Sequence, residues 1–349
     1  MSIKKIILIF LGFLIFIAII SISIYLYEIN SAVGKSSQGI EFSVEKGQSV
    51  REISSQLFEH GLIRSKWAFE FYVKLNHKQS KLQAGEYVLM PIQNIKEIVE
   101  SLGNGKEQVV KILIKEGEEE ANIAVNLEQQ GLLRADDFLN ITGKPFTDYR
   151  TTGKSLPNFS SKYSFLNDKP DYYSLEGYLF PDTYIAAKNS TPEQVVEKIL
   201  DNFDKKLTPV MRDEIVRQGK TIYEVMIMAS IVEKEVKTLE DMKIVSGIFW
   251  QRITNGQALQ SDATLSYVLD DKTAAHNLEQ LKTDSPFNSY KFKGLPPTPI
   301  GNPGINAIIA AIYPTHTDYN FFLTPKDSDQ TIFSRTFEEH IRNKQKYLK

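Results

Sequence analysis

The chain has 349 residues, 42% of them apolar and 24% charged, which is enough for a membrane anchor and two or three modest domains with buried cores. A net charge of -2 without a long basic run supplies no electrostatic source for nucleic-acid binding, so nucleic acid is excluded as an expected partner. The absence of cysteine excludes disulfides, thiolate metal sites and a cysteine nucleophile, and leaves the redox compartment to be read from other features.

At the N-terminus, residues 1–5 carry Lys4 and Lys5, and Ile6 to Tyr27 follow without a charge, long enough to span a bilayer. A cleaved signal peptide would have a shorter apolar core, and Ala32-Val33-Gly34 lies beyond Glu28 and matches a cleavage site only weakly. The expected element is therefore an uncleaved transmembrane helix over 6–27. Lysines before the span and Glu28 after it place the N-terminus in the cytoplasm and the rest of a single-pass, cell (inner) membrane protein outside it. Residues 28–39, rich in Ser and Gly, read as a short tether.

Residues 40–141 contain a repeat at an offset of seventy. Phe42 and Val44 alternate like a strand, Gly47 turns, Ile53 and Leu57 share a helical face, and Gly61-Leu62-Ile63 ends the unit. Ile112 and Ile114, Gly117, Ile123 and Leu127, then Gly131-Leu132-Leu133 repeat that order. Between the copies lie a helix over Ser65 to Leu75, a strand over Gly85 to Leu89 and a helix over Ile95 to Leu102 ended by Gly103 and Gly105. Such units pack as α+β modules. Trp67, Phe71, Tyr72 and Tyr87 admit two roles, stacking on sugar faces or filling a core. The shared helical spacing of Trp67, Phe71 and Leu75 favours the core.

Residues 142–171, rich in Gly, Pro, Ser, Asn and Lys, read as a linker, and 172–349 as a mainly helical α+β domain. Its helix starts are explicit. Thr191-Pro192-Glu193-Gln194 combines an N-cap, a first-turn proline and a capping-box partner; Thr208-Pro209 starts a helix that Gly219 ends; Thr221 with Glu224 predicts a helix from Ile222 to about Lys237.

Tyr223 to Val232 is apolar almost all the way round and is expected to be buried, with charge only at its end, in Glu233, Lys234 and Glu235. Helical phase puts Glu235 on the face of Met228, Ile231 and Val232 and turns Glu233 roughly 160° away. Glu233 is thus expected at a solvated helix end, paired with Lys237. Glu235 continues an apolar stripe near the negative end of the helix dipole, where its ionised form is disfavoured and a proton is available for donation. By pattern alone, both glutamates also fit the plain polar end of a core helix.

Ala229-Ser230-Ile231-Val232-Glu233-Lys234-Glu235 resembles the signature of the YceG-like (MltG) family of endolytic murein transglycosylases. Glu176 to Tyr184 (Glu-Gly-Tyr-Leu-Phe-Pro-Asp-Thr-Tyr), Leu259 to Tyr267 (Leu-Gln-Ser-Asp-Ala-Thr-Leu-Ser-Tyr), Pro286 to Tyr290 and the proline-rich Gly294 to Gly304 resemble further family blocks, in the family's order. Ala263 stands where the family often has proline and Phe287 where tyrosine is common. The resemblance implies a membrane anchor, a LysM-like module over 40–141 and a catalytic domain over 172–349. It implies cleavage of the MurNAc-β-1,4-GlcNAc bond within nascent glycan strands, with a 1,6-anhydro-MurNAc end that helps terminate elongation, and it assigns Glu235 as catalytic acid and base. Peptidoglycan strands are the implied substrate, and peptidoglycan synthases of the elongation or division machinery the implied partners.

Gln260, Ser261, Asp262, Asn288 and Tyr290 offer the donors and acceptors that sugar hydroxyl and acetamido groups require, and Glu176 and Asp182 are further candidates for substrate binding. Each also fits a turn or cap, as does Asn302. The five histidines His60, His77, His276, His316 and His340 are scattered without metal-ligand spacing, so neither a metal nor a cofactor is expected. Two other readings stay open: a muramidase in which Asp262 or Glu176 activates water opposite Glu235, and a non-catalytic, membrane-anchored peptidoglycan-binding scaffold.

Overall fold

The computed structural model describes residues 3–34, 39–103, 109–269, 276–325 and 330–348; the chain start, part of the expected tether and Gly105 lie outside them. The chain forms two compact units, Met1–Ile112 with Ile185–Ser190, and Leu113–Tyr184 with Thr191–Lys349.

The first unit begins with α1 (Ile3–Asn30), whose Phe10–Asn30 portion is long and apolar enough to cross a membrane. The expected tether does not begin where this helix leaves its apolar run. Ile29 is buried in the unit's core, Lys96 Nζ donates to Asn30 Oδ1 at 2.7 Å, and Gly34 N donates to Pro91 O at 2.9 Å. After α1 come β1 (Ile40–Val44), α2 (Val50–Glu59), α3 (Lys66–Leu75), β2 (Gly85–Leu89) and α4 (Ile95–Gly103). Strands β1 and β2 pair antiparallel with Phe42 opposite Tyr87, and both rings enter a core with Ile53, Leu57, Phe69, Val73, Ile98 and Leu102.

Helix α3 corrects one expectation. Its inward residues are Ala68, Phe69 and Val73, whereas Trp67, Phe71 and Leu75 are 57%, 40% and 58% exposed. Helical spacing identified a real stripe, but the helix has two apolar faces, and spacing does not say which of them the strands cover.

The chain passes between the units along β3 (Val109–Leu113) and β4 (Thr183–Ala187), which pair. The second copy of the repeat has the element order of the first: β3 leads through Gly117 into α5 (Glu120–Gln129), as β1 leads through Gly47 into α2. Gly47 and Gly117 have φ of +88° and +72°, and Gly61 and Gly131 both have +67°, a region that favours glycine and explains its recurrence at both places. The division between units falls at residue 113 and not within 142–171. Helices α5 and α6 (Ala135–Thr142) belong to the second unit, and the glycine- and proline-rich segment after them is packed into it, with Tyr163, Phe165 and Leu166 buried. Its composition reads as a linker, yet Phe165 lies 4.8 Å from Phe203 and 6.2 Å from Tyr178, centroid to centroid, which ties the segment down.

The second unit continues with α7 (Pro192–Lys206), α8 (Pro209–Arg217), α9 (Ile222–Glu235), α10 (Leu239–Thr254), α11 (Asp262–Leu269), α12 (Ile305–Ile312), the antiparallel pair β5 (Phe321–Leu323) and β6 (Ile332–Ser334), and α13 (Phe337–Tyr347). The capping boxes at Thr191 and Thr221 and the cap at Thr208 form as the sequence predicts. Helix α9 packs against α8, α10, α11 and α12, and Val225 to Val232 are all buried. Ala307, Ala310 and Ala311 on α12 are fully buried, small residues that let α12 come close.

The proline-rich loop is laid along α9. Tyr223 OH donates to Pro297 O at 2.5 Å and Ile300 N donates to Ser230 Oγ at 3.0 Å. Asn302 then closes the loop with every polar group of its buried side chain engaged: Oδ1 accepts from Gly177 N (2.9 Å) and Leu179 N (2.8 Å), and Nδ2 donates to Glu118 O (2.9 Å) and Glu176 Oε1 (3.0 Å). At Gly177, with φ of +91°, an added Cβ would lie 2.5 Å from Pro299 Cγ, so this approach requires glycine. Replacing Asn302 by Ala strands the buried Gly177 and Leu179 N–H groups, each at about 1–3 kcal/mol, while Glu118 O keeps the Asn302 backbone N–H. The expected outcome is a loss of roughly 3–5 kcal/mol in the second unit, read as a lower urea midpoint at unchanged slope.

Candidate active site

Glu235 is the last residue of α9, so its side chain leaves the helix where the neighbouring elements part. The residue is only half-buried, while its carboxyl group is enclosed by the start of α11. Ser261 Oγ donates to Glu235 Oε1, and the Ala263 N–H also donates to the carboxylate. A proline at 263 would lack that N–H. The segment before α11 is held in place from the opposite loop: Ser261 N donates to Ser289 Oγ at 2.9 Å, Thr264 Oγ1 lies 2.8 Å from Ser289 Oγ, and Gln260 N donates to Ser289 O at 3.0 Å. Gln260 has a φ of +54°, uncommon for a non-glycine residue, and leaves its own side chain exposed beside Ser261. Tyr290 OH donates to Asp262 Oδ1 at 2.6 Å.

Burial pushes the Glu235 carboxyl up to about 7, and the Asp262 charge acts in the same direction. The Ser261 hydroxyl, the Ala263 N–H and the nearby Arg252 guanidinium oppose the rise. Arg252, on α10, is itself fixed by donation to Leu259 O and, at 2.7 Å, to Asn320 O. Tyr290 is pushed well above its ordinary value, by burial first and by Asp262 second, and so stays a neutral donor. The arrangement is a carboxyl able to give and take a proton near neutrality, beside a neutral phenol, a carboxylate and a guanidinium.

Glu233 is not the solvated residue expected. It is half-buried, its Oε2 accepts from Gly304 N at 2.9 Å at the start of α12, and burial raises its pKa. The two glutamates differ in what they hold: Glu233 latches a loop, and Glu235 is held by one.

Of the predicted binding residues, the fold gathers Gln260, Ser261, Asp262 and Tyr290 around Glu235. Asn288 is fully buried one step behind, donating to Leu281 O (3.0 Å) and Thr283 O (2.8 Å) and accepting from Tyr290 N (3.1 Å), which fixes the loop that carries Tyr290. Asp182 has its partners elsewhere, in Thr183 N, Asn202 Nδ2 and Lys206 Nζ. Glu176, 1% exposed, accepts from Tyr267 OH at 3.2 Å, from Asn302 and from Glu120 N at 3.1 Å.

Sequence reasoning missed Arg252, Ser289, Glu120 and Phe146. Arg252 reads as an ordinary cation at a helix C-terminus. Glu120 closes an acidic run, Glu118-Glu119-Glu120, that looks solvated, yet it is fully buried beside Glu176. Burial raises its pKa to about 7 and that of Glu176 well above the carboxylate range. Phe146 is 56% exposed with a φ of +59°, and its ring lies 4.6 Å from Tyr267 and 5.5 Å from Phe287. A cavity of about 670 Å³ lined by Tyr149, Arg150, Asn158, Lys169 and Tyr172 includes no residue of the Glu235 cluster.

The YceG-like family model matches residues 42–346. The chain is 29% identical over 323 residues to the endolytic murein transglycosylase of Bacillus subtilis (strain 168), covering 90% of this chain and 86% of that protein. It is 29% identical over 356 residues to the endolytic murein transglycosylase of Streptococcus pneumoniae serotype 2 (strain D39 / NCTC 7466), covering 95% of this chain and spanning 64% of that protein's length. A YceG-like protein from Listeria monocytogenes, solved at 2.6 Å, superposes with a TM-score of 0.58 at 31% identity, over 88% of this chain and 99% of that one.

Two titrations check the electrostatics. The Glu235 carboxyl carbon, followed by NMR, is expected to titrate near pH 7; in Ser261→Ala, which removes a donor to the charged form, the midpoint should rise by roughly one unit. A midpoint near 4 would refute the burial argument. Glu120 has a raised folded-state pKa, so its favourable contribution is complete at acid pH and is lost as pH rises from about 4.5 toward about 7. Thermal melts should therefore show Glu120→Gln gaining roughly 5–10 °C over the wild type at pH 8 and little at pH 4.5.

Proposed function

Since the chain belongs to the YceG-like family, we propose that it is an endolytic lytic transglycosylase of peptidoglycan that works from the outer face of the membrane crossed by α1, with Glu235 as its acid and base. The observation that carries the reading is the setting of Glu235, whose carboxyl is enclosed at the end of α9, held by Ser261 and the first turn of α11, and pushed up to about 7 by burial. Because Oε1 accepts from Ser261, the transferable proton belongs on Oε2. Glu235 gives that proton to the glycosidic oxygen as the bond from MurNAc C1 breaks and the GlcNAc hydroxyl departs. The oxocarbenium-like sugar then closes on its own C6 oxygen, and the Glu235 carboxylate takes the C6 hydroxyl proton. Bond count and proton count both return to their starting values, a 1,6-anhydro end is left, and no water is consumed.

A hydrolase instead needs a second carboxylate to activate water or to attack C1. Here the nucleophile belongs to the substrate, so one carboxyl is sufficient. The Tyr290–Asp262 hydrogen bond beside Glu235 and the exposed Gln260 side chain support assigning these three residues to sugar hydroxyl and acetamido groups, and the exposed ring of Phe146, against Tyr267 and Phe287, suits the apolar face of a sugar. Lys4 and Lys5 on the cytoplasmic side set the orientation of α1, and peptidoglycan synthases are the natural partners of an enzyme that ends growing strands.

Mass spectrometry of peptidoglycan digested by the full chain tests reaction and residue together. Anhydro ends are expected from the wild type, with the rate falling at least about a hundredfold in Glu235→Gln. Reducing ends in place of anhydro ends would sink the transglycosylase reading in favour of a muramidase, and undiminished cleavage by Glu235→Gln would sink the residue assignment.

A further inference from the structure

The second face of α3 has no role in the chemistry above, and its position relative to α1 says what it meets. We propose that Trp67, Phe71 and Leu75, with Tyr25 of α1, form a docking surface that seats the first unit in the interfacial layer of the bilayer that α1 crosses. The proposal rests on reading α1 as a membrane span.

Trp67, Phe71 and Leu75 recur every fourth residue along α3 and stay 57%, 40% and 58% exposed, while the opposite face fills the core. The Trp67 and Phe71 rings stack at 5.4 Å with 12° between planes. Tyr25 stands edge-on to both, at 6.0 Å from Trp67 and 5.2 Å from Phe71. The aromatic patch is therefore continuous with a residue of the span itself.

Depth follows from helix geometry. The uncharged run from Ile6 to Tyr27 rises about 33 Å at 1.5 Å per residue, against a hydrocarbon core of about 30 Å. Tyr25 then falls where hydrocarbon gives way to headgroups, the layer in which Trp and Tyr rings concentrate. Rings within about 6 Å of Tyr25 lie beside it and belong to the same layer.

The attachment is fixed by several bonds. Ile29 enters the core, Lys96 holds Asn30, Arg64 Nη2 donates to Ala32 O at 2.6 Å, and the Arg64 guanidinium lies 5.7 Å from the centre of the Tyr27 ring. Lys74 and Lys78, on and just after α3, supply cations for lipid phosphates. The acidic residue of α3, Glu70, is turned to Ser54, whose Oγ donates to it at 2.7 Å. Exposed aromatics would also serve a glycan strand, but the edge of this patch is occupied by a residue of the apolar span.

The full chain and its Trp67→Phe variant, reconstituted in phosphatidylcholine–phosphatidylglycerol vesicles, isolate Trp67 by difference, since Trp250 is the chain's other tryptophan. Lipids brominated near the headgroup should remove most of the Trp67 emission, and lipids brominated at the bilayer centre much less. Flotation with the vesicles without quenching overturns the docking surface and leaves the anchor standing. Failure to float overturns the anchor and the surface together. An unquenched Trp67 whose emission shifts on adding soluble glycan strands assigns the patch to glycan and equally overturns the proposal.

Discussion

The second unit is organised by one constraint: α9 is apolar on every side, so it has no face that can be left in water. Four helices and a proline-rich loop meet that demand, and four of the helix's polar side chains each bind a surrounding element. Tyr223 and Ser230 hold the loop, Glu233 caps the start of α12, and Glu235 receives the segment that opens α11. The central helix thereby sets the register of everything around it, and its terminal carboxyl is drawn out of bulk water as a consequence.

Two helix ends meet at that carboxyl with opposite electrical effects. The C-terminus of α9 disfavours negative charge, and the N-terminus of α11, through Ala263 N–H, favours it. Burial and Asp262 add to the first effect, Ser261 and Arg252 to the second. With burial alone the group would stay protonated, unable to recover a proton from a hydroxyl. With the donors alone it would stay ionised, unable to give one. A value near 7 is the compromise that suits the acid-and-base role proposed for Glu235.

What the sequence carries locally, the structure returns locally. Thr191, Thr208 and Thr221 cap the helices they announce, the paired glycines fall in the same region of positive φ, and helical phase separates Glu235 from Glu233 before any neighbour is known. The failures share one cause, which is that a pattern within one element does not name what packs on it. The stripe on α3 was genuine but outward. Glu233 was exposed by phase and covered by Gly304, Glu120 belonged to a run of charge and lay in a core, and the apparent linker was tied down by Phe165. Arg252 and Ser289 reach the site from other elements, and no local signal distinguishes them.

The buried pair Glu120 and Glu176 shows why a raised pKa does not by itself mark a catalytic group. Both carboxyls titrate high, as Glu235 does, and burial is the leading cause in all three. The difference is access. Glu120 and Glu176 are 0% and 1% exposed, and Glu176 is surrounded by Asn302, Tyr267 and the Glu120 N–H, so no sugar oxygen can approach it without breaking the fold. Glu235 combines the same perturbation with an only half-buried position at the end of its helix, next to Asp262 and Tyr290. That separates them: the sealed Glu176 carboxyl holds α5, α11 and the proline-rich loop together at a cost that grows with pH, and Glu235, in a half-buried residue at a helix end, is the one proposed to meet substrate.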